Sequence, residues 1–422
     1  MTFYKNIFQN HKLIKMRKHI YHILLPFLSY FCLFHPVHSQ ELLSPLVYGS
    51  TDGNFHILFE MGDPAQMVFL RIDMSQSASW LTHNVYRPEH SYSGTNQYES
   101  SIQIGFLSYD SYIKTETLKI QNKNFNLNNF YFHYLDFNRP EGTYDSLALP
   151  YKYSDNKMSL IHQLYNNGAL SKKQFSFVPI DDELGYIYLG YLPKDKMEKD
   201  NFKKIASCNV DKHYNTWGCN IDKVYIDTNV YASNQYAYFN PTTKETLVPH
   251  SFMSFFSETF MREYINNGTC VYRKGYDSYQ CDCTKLTNVP IVVIMLGDQS
   301  IELSKDVLFR NTNGKCELKL KTNPMNMNWV FGTDFIEQHI TTFNYDKGII
   351  DIYSNRVQHY GKFDYLHGGR KLTLVQILIV VTVALFVTLV AGFVYMKVRN
   401  CAKKKKMKKR KKKFYNQDTT LI

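Results

Sequence analysis

A faint internal repeat constrains the fold of this chain more than any other feature. Residues 69–77, FLRIDMSQS, form an apolar strand-like segment that runs into Asp73 and then into small hydroxyl residues. Residues 237–243, AYFNPTT, repeat this pattern around Asn240. The repeat lies within a stretch of roughly 315 residues, more than a single core usually serves. It therefore predicts two lobes, each with one copy, that face each other across a cleft.

Most local patterns in this stretch are of the strand type. They are short, rich in β-branched and aromatic residues, and bounded by Gly, Pro, Asn or Asp. They are residues 55–61, 67–72, 119–120, 186–189 and 349–353. Helical periodicity is best developed in residues 160–165 and 251–264. The sequence thus predicts an all-β or mostly β molecule.

Residues 1–39 have the order of a cleaved secretory signal peptide. Basic residues come first, an apolar stretch follows at residues 23–34, and a small residue, Ser39, ends the segment. The alternative is a short membrane anchor. The apolar run is too short for that, and Pro26 and Ser29 interrupt it.

Residues 372–396 carry no charge and consist mainly of Val, Leu, Ile and Phe. Their length suits a bilayer core of about 30 Å, so they are predicted to form a transmembrane helix. The basic segment that follows, residues 397–422, is expected to stay in the cytosol by the positive-inside rule. Residues 357–371 would form a juxtamembrane stalk. The sequence thus predicts a single-pass type I protein of the plasma membrane or an endomembrane, with its bulk lumenal or extracellular.

The net charge of +12 is concentrated at the two ends of the chain. Residues 1–39 carry +5 and residues 397–422 carry +11, which leaves −4 for the part between them. A nucleic-acid-binding surface is therefore not expected where the fold lies. The basic tail has two interpretations, attraction to anionic lipid or a plain stop-transfer flank.

Six cysteines lie between the two terminal segments. An even number in an oxidising compartment predicts three disulfides. Neither the Cys281-x-Cys283 spacing nor the scattered histidines match a zinc pattern, so no metal and no cofactor are expected. Asn267 begins an Asn-Gly-Thr sequon and is a predicted glycosylation site. The six cysteines are Cys208, Cys219, Cys270, Cys281, Cys283 and Cys316.

Several segments resemble the pepsin-like aspartic proteases (peptidase A1). GDPAQ at residues 62–66 resembles the Gly-Thr-Pro-Ala-Gln turn, and IDMSQSASWL at residues 72–81 resembles the catalytic Asp-Thr-Gly-Ser-Ser loop with its flanks. The resemblance is collinear and implies a bilobal pepsin-like fold with lobes at residues 40–190 and 191–356. The other matching segments are residues 144–149, 164–171, 175–177, 185–190, 329–336 and 342–346.

The resemblance places the catalytic positions of the family on Asp73 and Asn240. Proteases of this type use two aspartates that share one proton, one activating water and the other donating to the scissile carbonyl. Asp73 matches the first aspartate. Asn240 stands where the second is expected, and its amide cannot titrate. Met74 and Pro241 replace the threonines that brace the two loops, so the brace is not expected to form.

Two further departures concern the loop glycines and the flap. Ser75 and Thr242 stand in place of the glycines, and their Cβ atoms restrict the backbone. In the flap hairpin, Ile104 stands at the position of the family's tyrosine. Tyr109 is the match instead if the hairpin has a different register.

The resemblance also implies a disulfide pattern. Cys283 matches a family disulfide with Cys316, which implies the pairs Cys208 with Cys219 and Cys270 with Cys281. The resulting functional hypothesis is a pseudoprotease that binds a peptide or protein partner without cleaving it. The alternative is an atypical aspartic endopeptidase in which Asp73 works with a water or with another carboxylate such as Asp334. A purely structural lumenal or extracellular part is a third reading.

Overall fold

The computed structural model describes residues 45–49, 53–120, 125–137, 144–152, 159–180, 184–227, 229–275, 277–323 and 327–356. The chain divides into two compact units, Met1–Val357 and Gln358–Ile422. All described residues belong to the first unit. Among them, no helix has the length and apolar character needed to cross a membrane. The predicted signal peptide, stalk, transmembrane helix and basic tail lie outside the described residues.

The described residues form 24 strands, numbered here β1 to β24 in chain order. Their bounds are Leu46–Gly49, Phe55–Met61, Gln66–Asp73, Trp80–Thr82, Thr95–Ile104, Leu107–Ile120, Asn126–Leu135, Ser146–Ala148, Gln174–Pro179, Leu184–Leu189, Lys203–Asn209, Gly218–Ile226, Asn229–Phe239, Thr246–Val248, Cys270–Arg273, Ser278–Asp282, Val292–Leu296, Gln299–Leu303, Phe309–Thr312, Lys315–Leu318, Leu320–Thr322, Trp329–Phe331, Ile340–Asn344 and Ile349–Ser354. Every strand predicted from the sequence is among them or within one of them.

Helices are short and few in the described part of the chain. The α-helices α1 to α6 are Leu160–Asn166, Lys194–Lys199, His250–Phe256, Arg262–Asn266, Lys305–Leu308 and Thr333–Ile336. A π-helical turn, Ser257–Met261, joins α3 to α4, and Pro88–His90 forms a 3-10 turn. Both helices predicted from periodicity are present. The mostly β prediction is therefore confirmed.

The strands form three sheets of 13, seven and four strands. The largest has the order β11-β24-β23-β9-β10-β1-β2-β3-β8-β4-β7-β6-β5. In this sheet β23, from the second half of the chain, pairs with β9, from the first half, with Phe343 opposite Phe175. The two halves of the bilobal fold thus share one continuous sheet. The second sheet has the order β18-β17-β12-β13-β22-β14-β21, and the third has the order β15-β16-β20-β19.

The internal repeat corresponds to two equivalent strand quartets. In the first, β3 runs parallel to β8, β8 antiparallel to β4, and β4 parallel to β7. In the second, β13 runs parallel to β22, β22 antiparallel to β14, and β14 parallel to β21. Asp73 ends β3, and Asn240 directly follows β13. Each lobe therefore presents its repeat loop from the same four-stranded framework.

Trp217 lies in the core between the quartets. It is fully buried, and its ring contacts those of four other aromatic residues at centroid distances of 4.7 to 5.8 Å. Its indole Nε1 donates to the carbonyl oxygen of Leu149 at 2.9 Å, and its own carbonyl accepts from Phe239 N at 2.8 Å. The four rings are those of Tyr151, Phe175, Phe343 and Tyr345.

Three disulfides join the predicted pairs. They are Cys208–Cys219, Cys270–Cys281 and Cys283–Cys316. Asn267, the predicted glycosylation site, is exposed in the turn after α4, where its side chain accepts from Thr269 N at 3.0 Å. The acceptor side chain is thus exposed, and its glycosylation stays a prediction.

Candidate functional site

Asp73 is held by the loop that follows it. It is 2% exposed at the end of β3. Its Oδ1 accepts hydrogen bonds from Ser75 N at 2.8 Å, Ser75 Oγ at 2.6 Å and Gln76 N at 3.2 Å. The hydroxyl and backbone of the residue that replaces the family glycine thus both stabilise the carboxylate.

Arg71 forms an ion pair with the second oxygen of this carboxylate. Its Nη2 lies 3.0 Å from Asp73 Oδ2, and the two side chains are 16% and 3% exposed. The guanidinium also lies over the ring of Tyr144, with Cζ 5.3 Å from the ring centroid. Because both oxygens accept hydrogen bonds and a permanent cation balances the charge, Asp73 is engaged in a structural ion pair.

Asn240 repeats the geometry of Asp73 in the second lobe. Its Oδ1 accepts from Thr242 N at 3.1 Å and from Thr242 Oγ1 at 2.8 Å. Its backbone N donates to the carbonyl oxygen of Phe331 at 3.0 Å. Ser75 and Thr242 therefore have the same role, since each donates its backbone N–H and its hydroxyl to the Oδ1 two residues before it.

A short series of hydrogen bonds connects the two loops. Leu149 N donates to the carbonyl oxygen of Asp73 at 2.8 Å, and the carbonyl of Leu149 accepts from Trp217 Nε1 at 2.9 Å. The carbonyl of Trp217 then accepts from Phe239 N, next to Asn240, at 2.8 Å. Trp217 thereby connects the strand ends that carry Asp73 and Asn240. These hydrogen bonds fix the backbone around both residues.

Asp334, the other carboxylate considered from sequence, has a cationic partner of its own. It is 2% exposed and forms an ion pair with Arg310. Burial raises the pKa of Asp334, and the Arg310 guanidinium opposes that rise. Its backbone N donates to Lys244 O at 2.9 Å. Asp73 and Asp334 thus each pair with a different arginine.

Both flap candidates lie on one face of the β5–β6 hairpin. Ile102 pairs with Tyr109, and Ile104 with Leu107, across a turn at Gly105. Ile102 and Ile104 pack with the fully buried Trp80, and Tyr109 packs at the edge of this cluster. The indole Nε1 of Trp80 has no hydrogen-bond partner among the described residues. This face of the hairpin is therefore apolar, and it covers the buried N–H group of Trp80.

A family model described as eukaryotic aspartyl protease matches residues 43–353. The chain belongs to this family. The resemblance inferred from the sequence of this aspartyl protease family member is therefore confirmed.

Three such structures share the fold at low identity. The aspartic proteinase from Irpex lacteus has a TM-score of 0.58 at 12% identity, and the alignment covers 74% of this chain and 97% of that one. Basic 7S globulin from soybean has a TM-score of 0.61 at 12% identity, with 76% and 96% covered. Conglutin gamma from lupine seeds, also a basic 7S globulin, has a TM-score of 0.60 at 15% identity, with 76% and 96% covered. No curated protein sequence matches the chain.

Sequence reasoning missed Arg71, the cationic partner of Asp73. The signal was present, because residues i and i+2 of a strand share a face and Asp73 ends β3. Val68, Leu70 and Ile72 are buried on the opposite face, which leaves Arg71 beside Asp73. An arginine two residues before the acid therefore predicts an ion pair within the strand.

Buried histidines give this protein a predicted pH dependence. His339 is 1% exposed and stacks on Phe335, and burial lowers its pKa to about 4. Burial also lowers the pKa of His133 and His162 to about 4. The unfolded chain binds protons on these groups near pH 6.5. The free energy of unfolding is therefore expected to be highest above pH 6.5 and to fall as the pH is lowered towards 4.

The His339→Gln variant tests this dependence. Chemical unfolding at pH 7 and pH 4.5 is expected to show a smaller loss of stability in this variant than in the wild type. His213→Gln, at an exposed position, is the matched control and should keep the wild-type dependence. Equal slopes for wild type and His339→Gln would contradict the assignment.

Proposed function

We propose that this protein is a pseudoprotease, a member of the aspartyl protease family that binds a peptide or protein partner without cleaving it. The observation that carries the proposal is the saturated carboxylate of Asp73. Its Oδ2 pairs with Arg71 at 3.0 Å and its Oδ1 accepts three hydrogen bonds. The equivalent position of the second lobe holds the neutral amide of Asn240.

The chemistry of aspartic proteolysis needs a base and an acid in one site. One carboxylate takes a proton from the attacking water while the other donates a proton to the scissile carbonyl. Asn240 can perform neither proton transfer, because its amide does not titrate. The lone pairs of Asp73 are directed at Arg71, Ser75 and Gln76. The described residues therefore provide no pair of acids that could share a proton at this site.

Exposed apolar residues at the flap support a binding role. Phe106 at the hairpin tip is 92% exposed, and Leu107 beside it is 61% exposed. Tyr98 and Tyr112 on the same hairpin are also exposed. Large exposed apolar groups of this kind mark interaction surfaces. An extended peptide against the hairpin tip would bury Phe106 and Leu107 and add backbone hydrogen bonds.

The site of action proposed is the lumenal or extracellular side of a secretory-pathway membrane. The disulfides of the described unit fit an oxidising compartment. The uncharged segment at residues 372–396 would anchor the chain as a single-pass type I protein. The basic tail would then face the cytosol.

A cleavage assay tests the catalytic half of the proposal. Purified full-length protein is incubated with denatured casein and a peptide library from pH 4 to 7, and products are detected by mass spectrometry. Neither the wild type nor Asn240→Asp is expected to cleave these substrates, because Asp73 remains ion-paired with Arg71 in the variant. Asp73→Asn is the matched control for contaminating proteases. Pepstatin-sensitive cleavage that disappears in Asp73→Asn would instead establish the atypical endopeptidase.

A cross-linking arm tests the binding half. A photoreactive phenylalanine analogue replaces Phe106 in one sample and Tyr92, which is 91% exposed, in another. Illumination of intact membranes is expected to link a discrete partner to position 106 and not to position 92. Equal labelling from both positions would contradict a binding role for the flap.

A further inference from the structure

A cavity lies in the C-terminal half of the fold, apart from Asp73 and Asn240. Its volume is about 410 Å³, which lies within the range of small-molecule sites. The helical stretch from α3 to the π-helical turn forms one side, and the β15–β16 hairpin forms the other. The residues on which its chemistry depends are His250, Met253, Glu258, Tyr272, Asp277 and Tyr279.

Two tyrosine rings form the aromatic wall of this cavity. Tyr272 and Tyr279 are directly opposite on β15 and β16, with ring centroids 5.1 Å apart and planes inclined by 49°. The disulfide Cys270–Cys281 lies two residues away on the same face of the hairpin. The hairpin is therefore cross-linked next to the ring pair.

Hydrogen bonds orient both rings. Tyr279 donates its hydroxyl to Ser257 Oγ at 3.0 Å, which ties the hairpin to the helical stretch. Tyr272 donates its hydroxyl to Asp277 Oδ1 at 2.6 Å. With the hydroxyls committed at their edges, the rings offer their electron-rich faces as the surface available to a ligand.

Two carboxylates give the cavity a negative potential. Asp277 and Glu258 line it, and the described lining residues include no Lys or Arg. The side chain of Glu258 has no ion pair or hydrogen bond to any other described residue. Met253, which is 8% exposed, contributes an apolar surface to the lining. Aromatic faces together with uncompensated carboxylates attract a cation of low hydration.

We propose that this cavity binds an organic cation, an alkylammonium or alkylguanidinium group. Either a free amine or the Lys or Arg side chain of a polypeptide partner would present that chemistry. The cation would lie against Tyr272 and Tyr279, with its charge facing Glu258 and Asp277. The site does not depend on the proposed pseudoprotease function, because it uses no residue of the Asp73–Asn240 region.

Isothermal titration of the full-length protein with paired probes tests this proposal. Choline is compared with 3,3-dimethylbutan-1-ol, which has the same shape without the charge. A capped Gly-Arg-Gly peptide is compared with its citrulline counterpart. At least one cationic probe is expected to bind at least tenfold more tightly than its neutral partner. Binding of choline indicates a small free ammonium compound as ligand, and binding of the arginine peptide alone indicates a partner side chain.

Matched variants locate the binding. Tyr279→Leu, and separately Glu258→Gln combined with Asp277→Asn, are expected to weaken the cationic probe about tenfold. Glu263→Gln, at an exposed position on α4 outside the cavity, should leave the affinity unchanged. Circular dichroism confirms that each variant folds. If Tyr279→Leu does not fold, the carboxylate double variant still provides the test. Absence of binding by every cation, equal binding of charged and neutral probes, or insensitivity to the carboxylate double variant would each overturn the proposal.

Discussion

Replacing Arg71 with methionine is expected to lower the free energy of unfolding by about 3 to 5 kcal/mol. The ion pair it forms with Asp73 is largely buried, with side-chain exposures of 16% and 3%. Methionine keeps much of the apolar volume of the arginine stem and removes its charge. The Asp73 carboxylate would then be a buried charge without a cation. Guanidinium unfolding of the full-length protein, followed by tryptophan fluorescence, measures the loss, because all three tryptophans lie in the described unit.

A second substitution makes this prediction specific. Asp73→Asn in the Arg71→Met background removes the unpaired charge while it keeps an oxygen for Ser75, as Asn240 does for Thr242. Most of the lost stability is therefore expected to return. Arg87→Met, at an exposed position, is the control and should change stability by less than about 0.5 kcal/mol. A small cost for Arg71→Met, or no recovery in the double variant, would show that the pair is not structural.

Gly332→Ala is expected to prevent folding or to cost more than about 4 kcal/mol. A Cβ at this position would clash with the carbonyl oxygens of Glu245, Thr243 and Lys244. These carbonyls belong to the segment after Asn240, and two of them accept hydrogen bonds from Thr333 N and Asp334 N at 2.8 and 2.9 Å. The segment cannot move aside without breaking those bonds. Yield of soluble protein and unfolding midpoint measure the effect.

Gly275→Ala is the matched control for this prediction. A Cβ there would meet no atom of the described residues within 4 Å apart from its chain neighbours, so the stability of this variant should be close to that of the wild type. If Gly332→Ala were as stable as Gly275→Ala, the close approach of the two chain segments would be wrong. Comparison of the two variants separates the steric effect of the added Cβ from the general effect of replacing a glycine.

The strands of this protein and their buried faces could be predicted from the sequence, because local hydrophobic periodicity determines them. The alternation of Val68, Leu70 and Ile72 fixes which face of β3 is buried, and the same reasoning applies to residues 349–353 in β24. The repeat predicted two equivalent loops because both copies end a strand at a side chain that accepts hydrogen bonds from its own loop. These features depend on residues close together in sequence.

Features that depend on distant residues could not be predicted in the same way. The core position of Trp217 depends on Leu149 and on the β23–β9 pairing, which join residues far apart in the chain. The flap alternatives stayed open because Ile104 and Tyr109 share a face, and only the turn at Gly105 fixes their register. The cavity beside Tyr272 requires a helix and a hairpin that no sequence motif connects.

The hydrogen bonds that close the two loops have a consequence for which substitutions this scaffold tolerates. Ser75 and Thr242 donate to an oxygen that a carboxylate and a carboxamide supply equally well. Exchange of acid for amide at residue 240 therefore keeps these hydrogen bonds and removes only the group that titrates. Such a scaffold accepts either side chain at this position without any rearrangement of its strands.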